Sequence, residues 1–73
     1  MSITQLYAFV GADPDEGIVA FGDSPERMMP LVCASESTMK IMRPAAEQIA
    51  RKTGKNIRIL KFTQCEEIGE IHA

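Results

Sequence analysis

Residues 35–54 read SESTMKIMRPAAEQIARKTG, and this stretch decides the fold. Ser35 or Ser37 is placed to cap a helix N-terminus, because a short hydroxyl accepts from an amide that the first turn leaves without a partner. Met39, Met42, Ala46, Ile49 and Ala50 then recur at three- and four-residue steps, the spacing that aligns one helical face. Lys40, Arg43, Glu47 and Arg51 keep the same steps on another face. Arg51 and Lys52 suit the negative end of the helix dipole, and Gly54 accepts the left-handed conformation that stops a helix. Pro44 conflicts with this pattern. Inside a helix it has no N–H to donate and crowds the preceding turn, at a cost of about 3 kcal/mol. The apolar stripe passes through it in register, which favours a continuous, kinked helix from Ser35 to Thr53 over a helix that starts near Arg43.

Working upstream, Met28 to Ala34 (MMPLVCA) predicts a strand, and Pro30 confines it to an edge or to half pairing because proline cannot donate to a ladder. Residues 22–27 break the chain, with a short helical turn over 24–27 as a variant. Ile3–Val10 (ITQLYAFV) and Ile18–Phe21 flank Gly11–Gly17, where Asp13, Pro14 and Gly17 are turn formers, so residues 3–21 predict a β-hairpin with a long acidic tip. Downstream, Asn56–Phe62 (NIRILKF) predicts the last strand. Its apolar residues fall on both faces, which suits an interior strand or one covered by a partner. Thr63-Gln64-Cys65-Glu66 fits a capping box, predicting a short helix over Gln64–Ile71 with Cys65, Ile68 and Ile71 on one side. The order is β-β-β-α-β-α, and the fold class is α+β: one domain over residues 1–73, a small antiparallel sheet with one main helix on one face. The connection through the helix admits a parallel, right-handed crossover.

With 73 residues the chain has a marginal core, and domains of this size often gain stability from a disulfide, a metal or a second subunit. Its 45% hydrophobic content is too high for intrinsic disorder. The near-neutral net charge of −2 conceals three blocks. Residues 1–36 carry six acids against Arg27; residues 37–62 carry seven bases against Glu47; residues 63–73 carry Glu66, Glu67 and Glu70. Fields of this kind steer partners and set docking orientation without identifying them. No stretch approaches a membrane span, and the N-terminus lacks a basic region followed by an apolar run, so the chain reads as cytoplasmic with reduced thiols.

The residues that carry chemistry elsewhere are poorly arranged for it here. His72 is the only histidine and is penultimate, away from any fixed orienting partner. Cys33 sits in an apolar strand. Cys65 opens the predicted short helix, a position that activates thiols, but Glu66 and Glu67 oppose that effect. Asp13, Asp15 and Glu16 lack the twelve-residue spacing of a calcium loop. There is no phosphate-binding glycine pattern, no nucleophile elbow and no zinc ligand set, so no cofactor, no metal and no catalysis is expected.

Two binding surfaces remain. Met28, Met29 and Met39 combine adaptability with apolar area, although methionine is also ordinary core filler. Lys40, Arg43, Arg51 and Arg58 offer positive charge to a partner or to phosphates, and Tyr7, Phe9 and Phe21 offer rings on which bases stack. The acidic overall balance weighs against nucleic acid. The expectation is a non-catalytic protein-interaction module, homodimeric, with nucleic-acid binding through the helix and last strand as the alternative. Its size, lack of catalytic motifs and sorted charge resemble, in style only, the small accessory proteins of phages and other mobile elements.

Overall fold

The structure is a computed structural model and describes residues 3–13, 16–22 and 24–73. Pro14 and Asp15 of the predicted turn, and Asp23, lie outside the described residues. The elements in chain order are β1 (Leu6–Gly11), β2 (Ala20–Phe21), a 3-10 turn (Pro25–Arg27), β3 (Met29–Pro30), β4 (Val32–Cys33), α1 (Glu36–Thr53) and β5 (Ile57–Phe62). They form a mixed α+β domain: a three-stranded antiparallel sheet of order β4-β1-β5, a two-stranded ribbon of β2 and β3, and one helix.

The helix forms as its sequence demands. Ser35 is the cap, and its hydroxyl accepts from the Thr38 N–H at 3.2 Å. Gly54 ends the helix at φ 69°, in the left-handed region, and donates its N–H to the Ala50 carbonyl. The helix runs unbroken through Pro44, which is exposed. On that side water can satisfy the Lys40 carbonyl, which the missing proline N–H leaves without its helical donor. The inward side brings Ala46 against Phe9 and Leu31, with Met39, Met42, Ile49, Val19 and Ile57 packed around them.

β1 is the central strand. Along one edge it pairs with the whole of β5, from Leu6 opposite Phe62 to Gly11 opposite Ile57. Its other edge is shared. β4 takes Tyr7 and Ala8, and Ile18 bridges Val10. The change of partner occurs at Phe9, which donates its N–H to the Leu31 carbonyl at 3.0 Å and accepts from the Val19 N–H at 2.8 Å. Leu31 in turn donates to the Val19 carbonyl at 2.9 Å. The predicted hairpin over 3–21 is therefore only partly formed: the returning chain pairs with β1 from Gly17, whose carbonyl accepts from the Gly11 N–H, to Val19 and then leaves it, so that Ala20 and Phe21 pair with Pro30 and Met29. The predicted strand over 28–34 is divided at Leu31 for the same reason. Both β4 and β5 run antiparallel to β1, so they are parallel to each other, with α1 crossing between them and β1 inserted in the middle.

Two further expectations are corrected. Of the two readings of the last strand, the interior one is overturned: β5 is an edge strand, because β1 occupies the centre. Residues 64–71 form no helix; the chain from Thr63 to Ala73 is exposed and without regular structure. A segment of that length, interrupted by Gly69, is too short to hold a helix without a surface to pack on.

Candidate functional site

Register assigns every strand residue to a face, since residues opposite one another in an antiparallel pair point the same way. Phe9 lies in the core under α1, so Tyr7, Phe9, Cys33, Ile57, Ile59 and Lys61 face the helix. Leu6, Ala8, Val10, Ile18, Val32, Arg58, Leu60 and Phe62 face away from it. That second face is almost wholly apolar, and none of the described elements covers it. Ala8 is buried there because it is small and flanked by Val32 and Leu60, whereas Ile18 and Phe62 are 52% and 48% exposed.

The outer edge of β5 is unpaired among the described residues. Beside it, between β5 and α1, an open groove of about 290 Å³ is lined by Phe9, Ala46, Ala50, Ile57 and Ile59, with Arg43, Glu47 and Asn56 at its polar positions. A second cleft, of about 620 Å³, lies where residues 3–6 and 62–65 run side by side at the end of the sheet.

The seven residues singled out in the sequence do not converge. Met28 and Met29 are exposed at the ribbon, where Met29 stands opposite the half-exposed Phe21. Met39 is partly buried against the core under α1. Lys40 is on the outer side of the helix, 3.7 Å from Glu36. Arg43 lines the groove, Arg51 is exposed near the C-terminal end of α1, and Arg58 is on the opposite face of the sheet. Tyr7 and Phe9 are inside, 6% and 0% exposed, and present no ring on which a base stacks; the Lys61 ammonium lies over the Tyr7 ring at 5.8 Å. The sequence showed apolar residues on both faces of the last strand, but sequence reasoning missed that β1 continues the outer apolar face. Its signal was available in β1, where Leu6, Ala8 and Val10 alternate with the residues that face the helix.

On the far side of the first turn, Glu16 is tied down. Glu16 reaches Lys55 at 3.4 Å and folds over Gly11, where a β-carbon would sit 2.5 Å from the Glu16 β-carbon. Cys33 donates weakly to the Ser35 carbonyl; Cys65 and His72 are exposed in the terminal segment. Among the described residues no group of three or more histidines, cysteines or acids is placed to hold a metal, and no helix is long and apolar enough to cross a membrane.

The magnitude of the exposed surface is informative. A compact monomer of this mass shows about 4,500 Å² to solvent. This chain shows 6214 Å². The radius of gyration is 13.9 Å, against about 11 Å for a compact chain of equal length. The buried apolar core consists of Tyr7, Ala8, Phe9, Leu31 and Ala46. Compared with known proteins, the chain matches no family model, no curated sequence and no solved structure.

Proposed function

We propose that this chain is a non-catalytic protein-interaction module that works as a homodimer, using the open apolar face of its sheet and the free edge of β5. The apolar sheet face that none of the described elements covers, beside the unpaired edge of β5, carries this reading. The surface excess of about 1,700 Å² over a compact monomer, to which the exposed segment Thr63–Ala73 also contributes, accords with it. A standard interface removes roughly 800 Å² from each partner, so the excess is ample for one. Among the described residues only Tyr7, Ala8, Phe9, Leu31 and Ala46 are fully buried apolar side chains, so a chain of this size gains from the further burial that a second subunit supplies. The free thiols of Cys33 and Cys65 fit a reducing, cytoplasmic setting for the module.

Size-exclusion chromatography with light scattering at tens of micromolar, at low and at high salt, tests the reading. The expected mass is twice that of the chain; a strict monomer under all conditions overturns it. Nucleic-acid binding, the alternative, rests on charge alone, with Arg43 and Arg58 divided between the two sides of the sheet. A gel shift at low salt, lost on Arg43→Ala plus Arg51→Ala, is the result that would favour it.

A further inference from the structure

We infer that the second copy docks edge to edge, β5 against β5 in antiparallel fashion, and that the acidic C-terminal segment of each chain lies along the basic end of the other's helix. The inference rests on the homodimer reading above and names its geometry. Three observations lead to it.

The first is the free edge. β5 is six residues long and pairs only with β1, so its outer N–H and C=O groups form a template for another strand. A second β5 is the closest match in length, and a two-fold axis makes the contact self-complementary. Leu60 and Phe62 of one copy then extend the apolar face of the other, and Ile59 closes the groove beside α1.

The second is the placement of charge. Arg51, Lys52 and Lys55 precede β5, the last of them by two residues; Glu66, Glu67 and Glu70 follow it, the first by four. In an antiparallel pair the end of one strand meets the start of its partner, so each acidic block is brought to the other chain's basic block, twice per dimer. Within one chain the two blocks leave opposite ends of the same extended strand and are held apart. Arg51 and Lys52 carry no ion pair among the described residues, and Lys55 is engaged only with Glu16. Arg58 and Lys61 on the strand disfavour indiscriminate edge pairing, which raises the weight of the acidic segment in selecting the partner.

The third is the terminal segment itself. Thr63–Ala73 is exposed throughout, with Ile68 and Ile71 at 94% and 98%, and makes no hydrogen bond among those found between described residues. Its first residues, Thr63, Gln64 and Cys65, line the cleft with residues 3–6 at the end of the sheet. A partner's surface gives those two isoleucines the burial they lack in the single chain.

A charge-swap pair tests the geometry. One variant carries Glu66→Lys and Glu67→Lys, the other Arg51→Glu and Lys52→Glu. Each alone is expected to self-associate at least about tenfold more weakly than the native chain, because like charges then face each other across the interface. An equimolar mixture is expected to recover native-strength association as a one-to-one heterodimer, in which both crossings are complementary again; recovery also demonstrates that both variants fold. If each variant dimerises as tightly as the native chain, the interface lies elsewhere and this geometry is overturned while the homodimer reading stands. If both weaken and mixing restores nothing, the acidic segment does not cross between chains, and the geometry again fails. A native chain that remains monomeric removes the reading itself.

Discussion

Tyr7 and Phe9 point at α1 and are buried, whereas Leu6 and Val10, their neighbours along the same strand, point to a face that no described element covers. The two sides of β1 and β5 have comparable apolar content, yet only one packs against α1. On the other, Ala8 is buried while Leu6, Val10 and Leu60 are half-buried and Phe62 is 48% exposed. The cause is a count of layers. Strand alternation gives the sheet two apolar faces, and the chain provides one helix to bury them. What remains exposed after folding is therefore set by the sequence's own pattern, and it is the surface on which the proposed association is placed. Isolated exposed hydrophobes are normal on any protein; a continuous face of them beside a free edge is what marks an interface.

Substitutions on the two sides should behave differently. Phe9→Ala removes the one fully buried large side chain among the described residues and is expected to cost about 3–5 kcal/mol, enough to leave the chain largely unfolded, as read by urea denaturation. Phe9→Ala with no change in midpoint would break the distinction between the faces. Leu60→Ser with Phe62→Ser, on the far side, is expected to weaken self-association about tenfold, or 1.4 kcal/mol, by sedimentation, while circular dichroism keeps the native helix content. Ser35→Ala should lower stability by about 1 kcal/mol, since it removes the cap of the helix that creates the buried face; Ser35→Asp should restore most of it. Lys55→Ala breaks an exposed pair with Glu16 and should move stability by less than about 0.5 kcal/mol, with the association constant the more sensitive of the two readouts.

The helix was legible because its determinants are local: the Ser35 cap, the apolar steps from Met39 to Ala50 and the Gly54 stop lie within one stretch. Its continuity through Pro44 was legible too, from the unbroken register of the stripe. The sheet was less so. Strand positions near 6–11 and 57–62 follow from composition, but no local rule shows that Phe9 must divide its hydrogen bonds between Val19 and Leu31, or that β1 and not β5 takes the centre. Those contacts join residues far apart in the chain, from Phe9 with Val19 and Leu31 to Leu6 with Phe62. The predicted helix at 64–71 failed for a related reason: the capping pattern is present, but a helix of that length depends on tertiary burial, and the single chain offers it none. The methionines stand out by residue type and the arginines by charge, and neither property decides which of several surfaces a residue joins. Met39 thus entered the core while Met28 and Met29 stayed outside it.

Amide hydrogen exchange of residues 57–62, followed at protein concentrations below and above the association midpoint, tests the central claim most directly. The account predicts that protection of this strand rises with concentration while that of β1, already paired on both edges, changes little. Equal protection of residues 57–62 at every concentration, in a protein that forms dimers, would contradict it.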